Sequence, residues 1–96
     1  MSSTTARVTL RDKARVSARA RLQYDEVREK EVLLFPEGLL VLNSSAAEIL
    51  ALCDGKRSVS QIAAVLEARY NRAVEQDVLT LLNRLATRRL VETVDD

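Results

Sequence analysis

Phe35-Pro36-Glu37-Gly38-Leu39-Leu40-Val41-Leu42-Asn43-Ser44-Ser45-Ala46 joins a tight turn, an apolar strand and a helix start with almost no linker. Pro36 presets φ for the first corner of a β-turn, and Gly38 accommodates the positive φ that closes it. Residues 39–42 form a short unbroken apolar run, which suits a strand. Asn43, Ser44 or Ser45 then offers a side-chain oxygen to an orphan backbone N–H and starts a helix at Ala46.

Upstream, residues 21–27 begin with the polar/apolar alternation of a half-buried strand, residues 28–30 read as a charged turn, and residues 31–35 read as a second strand with apolar residues on both faces. Connections this short favour an antiparallel meander whose first and third strands are edges. Downstream, Ala46, Ile49, Leu50 and Cys53 recur on one face of a first helix, about 45–53, which Asp54-Gly55 ends. A second helix begins at Ser58, where Ser58-x-x-Gln61 matches a capping box. It buries Ile62, Leu66 and Tyr70 and stops at Asn71. A third helix spans about 75–89, with acids Glu75 and Asp77 near its start and bases Arg84, Arg88 and Arg89 near its end, as the helix dipole favours. Its main stripe is Val74, Val78, Leu81 and Leu85, and Leu79, Leu82 and Ala86 widen the apolar arc to one side. Residues 90–94 read as a short extended tail. Residues 1–18, rich in Ser, Thr, Ala and Arg, read as a flexible basic arm ahead of a domain at 19–94.

Composition narrows the chemistry. With 96 residues the chain makes one domain, and its formal net charge of +1 points to neither nucleic acid nor membrane as a partner. It has no histidine, one cysteine and two glycines. That removes the commonest general base, a zinc set, a Cys–His nucleophile and a phosphate-cradling loop. An enzyme is therefore not expected, paired carboxylates being the acid–base arrangement left open, and no cofactor or metal is implied. Cys53 reads as a small core residue, and Tyr70 as a core aromatic with a wet hydroxyl. A lone cysteine, the lack of a long apolar run and a charged N-terminus indicate a cytoplasmic protein.

Leu39, Leu40, Val41 and Leu42 carry neither the charge nor the proline that usually protects a sheet edge. An unguarded apolar edge beside a broad apolar helix face predicts a groove for an extended peptide, with the backbone ladder supplying affinity and side-chain pockets supplying selectivity.

Pro36-Glu37, Leu42-Asn43 with Ala46 and Leu50, Cys53-Asp54-Gly55, Val59, Ile62, Tyr70, Asp77-Val78 and the run 82–85, in this order and spacing, resemble the pyrroloquinoline quinone (PQQ) biosynthesis protein D (PqqD) family. The resemblance covers about residues 20–92. It implies an α+β, winged-helix-like fold, a three-stranded antiparallel sheet followed by three helices, of the RiPP precursor peptide recognition element type. It also implies a non-enzymatic peptide chaperone that binds the precursor peptide PqqA by strand addition and presents it to the radical SAM enzyme PqqE. The peptide site implied by the resemblance is Leu39, Leu40, Val41 and Leu42 on the third strand with Leu79, Leu82 and Ala86 on the third helix.

Two other readings compete. Helix 2–turn–helix 3 has the outline of a DNA-binding winged helix. Its outward positions, however, include Glu75 and Asp77 where a recognition helix presents bases or amides, and the net charge offers little salt-dependent attraction. The bare edge also suits a homodimer through strand pairing.

Overall fold

The computed structural model describes residues 7–94. The chain runs β1 (Lys13–Val16), β2 (Arg21–Asp25), β3 (Lys30–Phe35), β4 (Gly38–Val41), α1 (Ser44–Ala51), β5 (Asp54–Ser58), α2 (Val59–Tyr70), α3 (Glu75–Thr87) and β6 (Val91–Val94). The strands form two antiparallel sheets, in the orders β2-β3-β4 and β5-β1-β6. The meander and three helices read from the sequence are thus β2–β4 and α1–α3, an α+β fold to which the structure adds the second sheet.

Local chemistry sets the meander. Asp25 Oδ1 accepts hydrogen bonds from the backbone N–H groups of Val27 (2.9 Å) and Arg28 (3.1 Å), which fold the loop after β2. The Arg28 backbone bond, followed by its side-chain bond, holds the Asp25 carboxyl below its ordinary range. Phe35 pairs with Gly38 across Pro36-Glu37, and Gly38 takes φ +153°, a value that side chains disfavour. Of the three candidate caps for α1, Asn43 does the work: its Oδ1 accepts from Ala46 N at 2.8 Å. The capping box of α2 is complete, with Gln61 N donating to Ser58 Oγ (3.1 Å) and Ser58 N to Gln61 Oε1 (2.8 Å). Asn71 ends α2 in the left-handed conformation. At the end of α3, Leu90 N donates to Leu85 O (3.0 Å) and Arg89 N to Ala86 O (2.9 Å), a Schellman motif with Arg89 at φ +62°. Leu85 and Leu90, the apolar pair of that motif, are both buried.

The N-terminal segment departs from the mobile arm expected for residues 1–18. Residues 1–6 lie outside the described residues, but residues 7–18 pack. β1 pairs with β5 on one side and with β6 on the other, and Ala14 is fully buried. Ahead of β1, the carbonyls of Leu10 and Asp12 accept from Ser60 N (3.0 Å) and Val59 N (2.8 Å), satisfying open donors in the first turn of α2. Val8 is buried, and Asn83 on α3 grips its backbone from both sides. Val8 N donates to Asn83 Oδ1 at 2.8 Å, and Asn83 Nδ2 donates to Val8 O at 3.1 Å. The arginines here project outward while Val8, Ala14 and Ser17 turn in, so a basic composition coexists with a buried backbone.

β5 has few apolar residues and owes its shape to its surroundings. Asp54 Oδ1 accepts from Lys56 N (2.9 Å) and Arg57 N (3.1 Å), bonds that lower the Asp54 pKa. Gly55 sits at φ +80°, a conformation that side chains rarely adopt, and a Cβ there would also lie tightly, 3.3 Å from Val94 Cγ2. One continuous core joins the layers, with Leu33, Val59, Ile62, Leu66, Val78, Leu82, Leu90 and Val91 at its centre. Each such side chain contributes ~1.5–3 kcal/mol by leaving water.

Two outcomes follow. Asn83→Ala leaves the buried Val8 backbone without its partners and destabilises the fold by ~1–3 kcal/mol, readable as a lower urea midpoint with faster amide exchange at Val8. Cys53 is 6% exposed, and its thiol is pushed up to about 12, first by burial and second by the Asp54 charge. Because the thiolate is the reactive form, iodoacetamide near neutral pH labels the urea-unfolded chain and spares the native one.

Candidate functional site

β4 is an edge strand: among the described residues it pairs with β3 alone. Leu42 N donates to Glu31 O at 2.9 Å, which fixes the phase of the ladder. By antiparallel alternation, Leu40 and Leu42 turn their backbone groups toward β3, while Leu39 and Val41 turn theirs to the open side. The side chains alternate too. Leu42 is buried and Leu40 half-buried against the core, whereas Leu39 (37% exposed) and Val41 (49% exposed) lie on the outer face of the sheet.

Two recesses lie near the two ends of β4, and the α3 segment contributes to both. A cleft of about 280 Å³ is lined by Asn43 and Ala46 at the start of α1 and by Asp77, Leu81 and Arg84 on α3. A second recess lies among Arg19, Phe35, Glu37 and Arg88. β4 leads from the second recess to the first, and α3 leads from the first to the second, so strand and helix run in opposite senses. The lengths agree: Gly38 to Asn43 covers ~17 Å as strand, and Asp77 to Arg88 covers ~17 Å as helix. Asp77, Leu81, Arg84 and Arg88 follow one another at helical spacing and define one trough-facing side of α3.

Polar groups close both ends. At one end the Tyr70 hydroxyl donates to Glu48, and this bond raises the Tyr70 pKa, with burial and the Glu48 charge adding to it. Arg72 stands 6.0 Å from the Tyr70 ring centre and 3.4 Å from Asp77 Oδ2. At the other end Arg19 binds Glu37 at 2.6 Å, and Arg88 lies 5.4 Å from the Phe35 ring centre. Among the described residues no group of three or more His, Cys, Asp or Glu is placed to hold a metal ion, and no helix is long and apolar enough to cross a membrane.

The structure places the sequence-derived site residues unevenly. Leu39, Leu40, Val41 and Leu42 do lie along one open strand and its exit. The three helix residues do not join them in a trough. Leu82 is fully buried and belongs to the core stripe Val74, Val78, Leu82 and Leu85. Leu79 and Ala86 flank that stripe on the side where Asn83 holds Val8. The arc of α3 is wide because the helix has three neighbours: the core, the chain's own N-terminal segment and the trough. Sequence reasoning missed Leu81 and Arg84 as trough residues; the signal available was the i, i+4 continuation from Val74 through Val78 to Leu82, which turns Leu81 outward.

This geometry defines a class: a small α+β domain with an open strand edge and recesses near both ends of that strand. Residues 31–91 match the family model for coenzyme PQQ synthesis protein D (PqqD). A PqqA binding protein of Azotobacter vinelandii is 38% identical over 86 residues, covering 88% of this chain and 94% of that one. The bifunctional coenzyme PQQ synthesis protein C/D of Methylorubrum extorquens is 42% identical over 84 residues, 84% of this chain but only 23% of the larger protein. The solution NMR structure of the PqqD part of Methylobacterium extorquens PqqCD, described as a stand-alone RiPP recognition element, superposes with a TM-score of 0.72 at 41% identity, covering 82% of this chain and 87% of that one. The chain belongs to the PqqD family.

The two neighbouring leucines of α3 separate core from trough. Leu82→Asp buries an unpaired charge and destabilises the domain by on the order of 4 kcal/mol, while Leu81→Asp, at a half-buried position, changes stability by ~1 kcal/mol. Equal losses in urea unfolding would contradict the orientation of α3 described above.

Proposed function

We propose that this chain is a peptide-binding chaperone of PQQ biosynthesis, not an enzyme, and that it takes the precursor peptide PqqA as an added strand on β4. Leu39 and Val41 supply the free backbone groups, Leu40 and Leu42 hold the strand on the core, and Leu81 with Arg84 forms the opposite wall. The observation that carries this reading is the unpaired outer edge of β4, whose two ends adjoin recesses lined in part by Leu81, Arg84 and Arg88. Membership of a family whose relatives include PqqA binding proteins supports it.

Strand addition fits the chemistry available. A backbone ladder needs only an unpaired edge, and a few side chains lowered into the trough add apolar contact and register. A micromolar complex, about −8 kcal/mol, is within reach of such a site. The role extends, on this reading, to presenting the bound peptide to the radical SAM enzyme PqqE in the cytoplasm. Gripping the guest by its main chain suits a carrier, because it leaves guest side chains free for chemistry performed elsewhere.

Val41→Pro is the discriminating variant. The Val41 N–H points to the open side, so proline there spares the β3–β4 ladder yet removes the donor a guest strand needs. PqqA affinity falls at least tenfold, ~1.4 kcal/mol, while the circular dichroism spectrum is retained. Amide shift mapping of the wild-type chain with PqqA perturbs residues 39–43 and 77–88. Shifts confined to β2, or a Val41→Pro variant that binds PqqA normally, would defeat the proposal. Addition of PqqE to the same sample tests presentation: the complex with PqqA forms a ternary species, and its absence removes the PqqE part of the reading.

A further inference from the structure

We propose that the trough selects an acidic segment of its guest, with carboxylates at alternate positions of the added strand bound by Arg84 and Arg88; this rests on strand addition at β4.

The arginines divide by whether a carboxylate of this chain holds them. Arg15, Arg19, Arg28, Arg57, Arg69 and Arg72 each have a carboxylate oxygen within 4.0 Å. Among the described residues Arg7, Arg11, Arg21, Arg84, Arg88 and Arg89 have no such partner, and of these six Arg84 lines the cleft and Arg88 the second recess. Arg88 instead lies over the Phe35 ring, and Arg84 lines the cleft beside Leu81. Both side chains are exposed. The acids at the ends of the trough are already engaged, Glu37 by Arg19 and Asp77 by Arg72. Arg84 in the cleft and Arg88 in the second recess are therefore cations with no carboxylate of this chain bound to them.

The helix dipole favours cations in the last turn of α3, but it does not select the side of the helix on which they stand. Here both stand four residues apart on the trough-facing side, where like charges repel each other until a counter-ion arrives. Their spacing matches the proposed guest. Four helical residues rise ~6 Å, and alternate side chains of a strand lie ~7 Å apart on one face. A guest strand thus brings side chains i and i+2 opposite the two guanidinium groups, each of which accepts a carboxylate in a two-pronged hydrogen bond. Leu81, one turn before, receives an apolar side chain from the same face of the guest.

The test compares PqqA binding to the wild-type chain, Arg84→Gln, Arg88→Gln, the double variant and Val41→Pro, by titration calorimetry at low and high NaCl. Circular dichroism verifies folding. Each single glutamine variant weakens binding about fivefold, and the double variant flattens the salt dependence of the wild-type chain, as loss of opposed charges at an interface does. A PqqA variant with its trough-facing Asp or Glu residues changed to Asn or Gln loses affinity for the wild-type chain and loses little more on the double variant. Wild-type affinity and salt dependence in the double variant, with Val41→Pro still defective, overturns the acidic-guest proposal and leaves strand addition standing. Normal binding by Val41→Pro overturns both.

Discussion

A strand has two edges, and β1 uses both. It lies between β5 and β6, and the exposed Arg15–Glu92 pair at 2.6 Å marks the seam where the start and end of the described chain meet. Surface pairs of this kind add little by themselves. The seam matters because it commits the N-terminal segment: residues 8–12 lie against α2 and α3, and residues 13–16 close the second sheet. Those residues are then unavailable to cover β4. Among the described residues the outer edge of β4 has no strand partner.

α3 shows the same economy. Its core stripe, Val74, Val78, Leu82 and Leu85, anchors the helix. One flank, through Asn83, holds the chain's own backbone, and the other faces the trough. Asn83 mimics a strand partner toward Val8, donating and accepting with one amide, so the helix already binds extended backbone on one side. On the reading proposed above, the affinity of the other side rests on Leu81, Arg84 and Arg88. A helix with three neighbours needs apolar residues over most of its circumference, which is why its sequence alone does not tell core from site.

How much was legible depended on how local the cause was. The meander was readable because Pro36, Gly38 and the apolar run after them fix it within a few residues. The capping box at Ser58 and Gln61 was readable for the same reason. β1, β5 and β6 were harder, because their pairing joins residues far apart in the chain. β5 is polar, and its glycine serves a positive φ close beside Val94, a tertiary approach that no local pattern records. Val8, Leu10, Ala14 and Val16 did carry an alternating signal, but the arginines between them led to a reading as solvated arm. On α3 two stripes compete: from Val78, both Leu81 and Leu82 continue an apolar row, and the helical period alone does not choose. The unpaired state of Arg84 and Arg88 is a tertiary fact with no sequence signature.

The outer face of β4, where Leu39 and Val41 stand exposed, bears on what a captured strand would look like from outside. Pleating sends every second guest side chain toward α3 and the rest to the opposite surface, next to these two residues. A host of this design conceals one half of its cargo and displays the other, so residues destined for modification belong on the displayed half or beyond the ends of β4. On the strand-addition reading proposed above, the fold sorts its guest into a handle and a workpiece without any moving part.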